Sequence, residues 1–157
     1  MPKISVRPAQ DADFPTVAEL FHQYRAFYGF EHTDTERLKA EEFLRRRFNL
    51  HESTVLVVEF KDHIAGFCHY YPTFDSLALT SSLALHDLYV EPKFRNQDCG
   101  IRMMEKVIAT AKAQQCDQIS VQAQPTNVIA LALYSSFGFT QKTRSDELIT
   151  LTLDLHS

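Results

Sequence analysis

The spacing of apolar residues changes period several times along the chain, and each change marks an element. Residues 4–7, Ile-Ser-Val-Arg, alternate as a strand does. Over 14–28, Val17, Leu20, Phe21, Tyr24 and Tyr28 recur at three- and four-residue intervals, which predicts a helix with Pro15 in its first turn and Gly29 beyond its end. A second helix is predicted over 35–48, carrying Ala40, Phe43, Leu44 and Phe48. Two β-rich runs, 54–60 and 64–71, flank Lys61-Asp62-His63 and read as a hairpin, followed by a loop over 72–76. An apolar strand over 85–90 is closed by Glu91-Pro92. The turn 95–100 then opens onto a helix whose stripe is Ile101, Met104, Ile108 and Ala111. A strand over 119–123, a short helix capped near Asn127 and stopped by Gly138, and a last strand over 148–155 complete the pattern. Strands and helices mixed in this way predict an α/β fold.

Length and composition narrow this picture. A chain of 157 residues with no repeat, no low-complexity segment and no long linker is expected to form a single domain, 1–157, with a full core. The three cysteines, Cys68, Cys99 and Cys116, have no paired spacing and read as free thiols of a reducing cytoplasm, with Cys99 the one expected to be exposed. No signal-like segment or apolar run of the ~20 residues needed to cross a bilayer is present, so a cytoplasmic protein is expected. A formal net charge of −4 and a pI near 5.9 argue against nucleic acid or an acidic membrane as partner and favour a cationic small molecule. The basic run Arg45-Arg46-Arg47 is interleaved with Glu41 and Glu42 and reads as a solvated helix face. The seven histidines are scattered without zinc-site spacing, so no metal is expected.

Candidate chemistry concentrates between Leu85 and Phe139. The turn Arg95-Asn96-Gln97-Asp98-Cys99-Gly100 leads directly into a helix, whose first N–H groups lack intrahelical partners and carry the positive end of the helix dipole. With Arg95 beside it, that turn is a ready anion site for a phosphate.

The wording of these pieces resembles the GNAT superfamily of N-acetyltransferases. The resemblance rests on Ile4-Ser-Val-Arg-Pro-Ala9 leading to Asp11 and Asp13, on Asp87-Leu88-Tyr89-Val90 followed by Arg95 and Gly100, and on Asn127, Leu133-Tyr134 and Phe137-Gly138-Phe139. It implies a GNAT-like fold with a mixed, mostly antiparallel sheet flanked by helices, and acetyl-CoA as cosubstrate. It also implies roles for residues. The backbone of Leu88, Tyr89 and Val90 would pair with the pantetheine arm, and the turn Arg95, Asn96, Gln97, Asp98, Cys99, Gly100 and Ile101 would hold the pyrophosphate. Asn127 would hold the arm. Asp98 departs from the signature, which has glycine there; a carboxylate beside a pyrophosphate weakens binding without forbidding it, and if the turn needs a positive φ, Asp adopts it more easily than most residues but less easily than glycine.

Thioester aminolysis requires a neutral amine and a protonated leaving thiolate. The resemblance makes Tyr134 the general acid. His86 aligns with a base position of similar polyamine acetyltransferases, with Asp87, Glu91 or a water relay as alternatives, and strict alternation puts His86 and Asp87 on opposite faces of the strand. Tyr28, Tyr71, Asp75 and Asp87, with Tyr24 and Phe74, are candidates for an aromatic and acidic acceptor site, although helical spacing also explains Tyr24 and Tyr28 as core. The expected function is transfer of an acetyl group to a primary amine of a small molecule by direct attack in a ternary complex. The alternatives are a noncatalytic acyl-CoA-binding regulatory module and acetylation of a protein amine. Homodimerisation is carried over from the resemblance alone.

Overall fold

In the computed structural model, which describes residues 3–156, the chain runs β1 (Ile4–Pro8), α1 (Phe14–Phe27), α2 (Asp34–Asn49), β2 (Thr54–Phe60), β3 (His63–Asp75) and β4 (Thr80–Val90). It continues through α3 (Cys99–Ala113), β5 (Gln118–Ala123), α4 (Val128–Ser136), β6 (Thr140–Arg144) and β7 (Ile149–Asp154). The strands form one mixed, mostly antiparallel sheet in the order β1-β2-β3-β4-β5-β7-β6, a mixed α/β, GNAT-like arrangement. Its parallel neighbours are β4 and β5, joined through α3, because parallel strands need a crossover and cannot be closed by a hairpin. The chain packs as two compact units. One takes residues up to His69 with Asp87–Met103, the other Tyr70–His86 with residues from Met104 on.

In the first unit β1 pairs antiparallel with β2, from Ile4↔Phe60 to Pro8↔Leu56. The hairpin β2–β3 closes over Lys61 and Asp62, both at positive φ (52° and 65°), the backbone signature of a tight two-residue turn matched to strand twist. Helix α1 buries Phe14, Val17 and Leu20 against Leu44 of α2 and Val55, Val57, Phe67 and Tyr89 of the sheet. Phe14 and Phe48 lie with ring centroids 4.8 Å apart, while Phe43, read as part of the same stripe, points to solvent. The Thr33 hydroxyl accepts from Glu36 N at 3.2 Å and caps α2.

His22 of α1 and His32 of the α1–α2 connection form a stacked pair of imidazoles, with centroids 4.1 Å apart. His22 is buried, its Nδ1 has no hydrogen-bond partner among the described residues, and burial followed by the charge of His32 depresses its affinity for a proton. The unfolded chain therefore binds that proton more readily, so stability is complete above the ordinary histidine value of 6.5 and falls as pH drops through it. Urea titrations at neutral and mildly acidic pH check this: His22→Gln is expected to flatten the loss on acidification.

In the second unit β4 pairs parallel with β5 from Ser82↔Gln118 to Leu85↔Val121, and β7 pairs antiparallel along all of β5, from Gln118↔Asp154 to Ala123↔Ile149. Edge strand β6 joins β7 with a register irregularity between Gln141 and Thr143. The Asp117 carboxylate accepts from Ser81 N at 2.8 Å and lies 2.6 Å from His156 Nε2.

Four expectations are corrected. The stretch 72–76 is not a loop, because β3 continues through Asp75 and β4 starts at Thr80. Strand β6 was not predicted: its five residues, Thr-Gln-Lys-Thr-Arg, are all exposed, so no apolar alternation marks it. The buried face of α3 is Met103, Met104, Val107 and Ala111, with Ile101 turned outward. Cys99 is buried, and that burial pushes its thiol up.

Candidate functional site

The turn before α3 is built by backbone conformation. Asn96 and Asp98 both lie in the left-handed region, at φ 63° and 69°, where glycine is the unstrained choice and Asn and Asp are the tolerated ones. Arg102 N donates to Asp98 O at 2.9 Å, so the amides of Cys99, Gly100 and Ile101 precede the first bond of the helical ladder. These amides, at the N-terminus of a 15-residue helix, form an anion-binding end. The Asp98 charge is felt locally, since it adds to the burial that raises the Cys99 thiol. Arg95 has a bracing role besides its charge: its Nε donates to Val90 O at 3.0 Å, and its guanidinium lies 5.6 Å from the Tyr89 ring centroid.

Strand β4 alternates strictly over 85–89. Leu85, Asp87 and Tyr89 are buried, and His86 is exposed, so the two candidate bases stand on opposite faces. The register with β5 ends at Leu85↔Val121 while β4 runs on to Val90, which puts Leu88, Tyr89 and Val90 beyond the paired stretch. On its other side this stretch is held by β3. Glu91 N donates to Ala65 O at 2.8 Å, and Gly66 leaves the space that a Cβ would take from the Tyr89 carbonyl.

Asp87 belongs to a chain of polar groups. His69 Nδ1 is 3.0 Å from Asp87 Oδ2, and His69 Nε2 is 2.7 Å from Ser53 Oγ. Neither His69 nor Ser53 was picked out in the sequence. A lone histidine in an apolar strand carries no pattern, and its partners lie 18 and 16 residues away. On the same face as Asp87, Tyr89 meets Tyr24 at 5.8 Å between centroids, and Tyr24 meets Tyr28 at 4.9 Å. The Tyr89 hydroxyl also donates to Gln23 Oε1 at 3.1 Å, and burial raises its phenol. Tyr28 thus joins an aromatic group of the first unit that runs to Tyr89, two residues along the same strand face from Asp87.

The second unit holds the remaining candidates. Tyr71 stacks against His86 at 5.8 Å. Asp75 is exposed and its Oδ1 accepts from Leu77 N and Ala78 N, both at 3.1 Å, which ties it to the β3–β4 turn. Asn127 caps α4 by accepting from Ala130 N at 3.3 Å. Tyr134 is buried in the last turn of α4, 5.7 Å from Phe139, and Gly138 ends the helix at φ 94°. Among the described residues, no group of three or more His, Cys, Asp or Glu is placed to hold a metal, and no helix is long and apolar enough to cross a membrane.

A βαβ crossover with an anion-binding turn at the start of its helix suits a phosphate-bearing cosubstrate, and comparison with known proteins gives the class. The model of the acetyltransferase (GNAT) family matches residues 17–139. The chain is 31% identical over 140 residues to the uncharacterized N-acetyltransferase YhfO of Bacillus subtilis (strain 168), spanning 89% of this chain and 92% of that one. Among solved structures it is similar to a probable acetyltransferase, with 27% identity, a TM-score of 0.79, and coverage of 88% and 91% of the two chains. It also shares the fold of yncA from Salmonella typhimurium, solved with its cofactor acetyl-CoA, at 19% identity and a TM-score of 0.75 over 97% and 94% of the two chains. The chain belongs to the GNAT family and is an acetyl-CoA-dependent N-acetyltransferase.

The backbone of the turn suits an anion, while the Asp98 carboxylate does not. If the turn holds the pyrophosphate, Asp98→Gly removes a carboxylate beside it, a repulsion of about 1 kcal/mol at an effective dielectric of about 20 with salt screening. Calorimetry is expected to show acetyl-CoA binding about fivefold tighter in this variant. Fold stability should change little, because relief of the left-handed strain is offset by the added freedom of glycine in the unfolded chain. Unchanged affinity would mean that the carboxylate points away from the phosphates.

Proposed function

We propose that this protein acetylates a primary amine of a small cationic molecule by direct attack in a ternary complex, with Tyr134 as general acid. The observation that carries the substrate class is the buried Asp87 carboxylate on the same face of β4 as Tyr89, whose ring leads to Tyr24 and Tyr28. A carboxylate beside aromatic faces attracts an ammonium through charge and through the ring quadrupoles. The acidic balance of the chain, −4, supports the same class.

Acetyl-CoA supplies a thioester carbonyl open to a neutral amine and a thiolate that must leave. The amides of Cys99, Gly100 and Ile101 hold the phosphates, and Leu88, Tyr89 and Val90 offer main-chain groups to the arm. Asn127, besides capping α4, is assigned to the arm as well. An alkylamine of pKa about 10.4 arrives protonated, so a proton must be taken up before attack. An amine held at Asp87 lies on the opposite face of β4 from His86, so this step is assigned to a water relay, with His86 as direct base only for an acceptor bound on its own face. Tyr134 then gives its phenolic proton to the thiolate. Tyr71, stacked on His86, and Asp75 are proposed as acceptor residues of the second unit.

The test is thiol release from acetyl-CoA over a panel of polyamines, amino acids, aminoglycosides and basic peptides, against an amine-free control. Release dependent on a small amine is expected. Release with basic peptides alone would move the acceptor to a protein amine, and binding of acetyl-CoA without release would point to a regulatory module.

A further inference from the structure

We propose that the outward face of α2 is an interface between two copies of this chain, in which the helices cross antiparallel about a twofold axis at the level of Leu44. The surface is independent of the acceptor proposed above, and it gives a task to the basic run 45–47, which by its spacing alone reads as a solvated helix face.

Three observations carry it. Ala40 and Leu44 form the buried side of α2, and a step of two residues turns about 200° around a helix, so Glu42 and Arg46 point outward, and both are exposed. Leu38 and Leu50 lie four residues beyond them in the same row and are 57% and 54% exposed, which leaves a large apolar side chain uncovered at each end of one ridge. A second row, Glu41, Arg45 and Asn49, runs beside the first, and the two rows line a groove of about 600 Å³. In the second row charge is matched within the chain, since Arg45 Nε donates to Glu41 Oε2 at 3.2 Å. Glu42 and Arg46 have the same four-residue spacing, yet among the described residues neither forms an ion pair.

The row is its own complement when reversed. Laying one copy antiparallel on another at the level of Leu44 sets Leu38 on Leu50 of the second copy and Glu42 on Arg46 of the second copy, and the twofold axis repeats both contacts. Ridges of one helix seat in the grooves of the other in the commonest helix packing. Seated so, Glu42 lies between Arg45 and Arg46 of the second copy, and Arg46 between its Glu41 and Glu42. Each charge on the row then meets the opposite sign on both walls of the groove. A face of alternating sign suits neither nucleic acid nor an acidic membrane, and its two leucines, about 18 Å apart along the helix, make no single apolar pocket for a small ligand. A second copy supplies the complement by identity. One helix pair is at the small end of specific interfaces and its ion pairs are solvent-exposed, so the dimer is expected to form at about 10–100 µM and to weaken as salt is added.

Sedimentation equilibrium of the full chain from about 1 to about 200 µM tests this, with circular dichroism and a thermal melt to show that each variant is folded. Wild type is expected to pass from monomer to dimer and no further, because a twofold contact closes on itself. Arg46→Glu and Glu42→Arg are exposed exchanges between good helix formers, and each should raise the dissociation constant about tenfold or more. Mixed in equal amounts, the two variants should associate again, because the changed side chains then face opposite charges across the axis. A fluorophore on one variant reads the mixed species directly. Wild type that stays monomeric through the whole range overturns the proposal and leaves the face to a different partner. A dimer whose constant neither variant moves also overturns it, by placing the contact on another surface, and so do folded single variants whose mixture gains nothing.

Discussion

Replacing Tyr134 by Phe is expected to lower kcat by about 10²-fold, while the dissociation constant for acetyl-CoA stays within about twofold of wild type. Phenylalanine keeps the ring that packs 5.7 Å from Phe139, so the end of α4 and its Gly138 stop should persist. Only the hydroxyl is removed. If that hydroxyl protonates the departing thiolate, its loss is a loss of transition-state stabilisation, which appears in kcat and leaves ground-state binding alone. The buried hydroxyl also contributes to folding, on the order of 1 kcal/mol, so a thermal melt must accompany the kinetics. A Tyr134→Phe protein that is folded, binds acetyl-CoA and turns over at the wild-type rate would remove Tyr134 from the mechanism. Such a protein that is inactive because it is unfolded would show the loss in the melt first.

The second large effect is expected at Gly66, far in sequence from any motif. A Cβ there would collide with the Tyr89 carbonyl oxygen and sit 3.1 Å from Val90 Cα, and both obstacles are backbone of β4. Neither can rotate aside as a side chain would. Gly66→Ala should therefore cost about 2–3 kcal/mol of stability, the upper part of the range for overpacking. It should also weaken acetyl-CoA binding in the folded fraction, because relief requires Tyr89 and Val90 to shift, and these are the residues assigned to the pantetheine arm. Urea unfolding and calorimetry on one preparation separate the two effects. Full stability with full affinity would mean that β3 and β4 separate at no cost.

The parts of the site legible in the sequence are those made of adjacent residues. The turn 95–100 and its helix could be read because a helix N-terminus is an anion site wherever it occurs, and the strain at Asp98 was foreseen because the signature places glycine there. The observed φ of 69° supplies that strain. The end of α4 was legible for the same reason, through Asn127 and Gly138. The β6 edge was not, because a strand exposed along its whole length needs no apolar residue and is defined only by its pairing with β7. Ile101 was misplaced on α3 because several apolar residues share its helical spacing, and only packing shows which row is covered.

By itself, then, the chain's sequence determined what short-range physics determines: which segments become helices and strands, where the anion-binding turn lies, and which family's wording it shares. Tertiary structure alone decided which residues meet. It set His86 and Asp87 on opposite faces of a strand that alternates over 85–89, tied Asp87 through His69 to Ser53 across 18 and 16 residues, and brought Gly66 under the Tyr89 carbonyl. Such contacts depend on strand register, and register is fixed by burial of whole faces at once, which no local pattern of residues records.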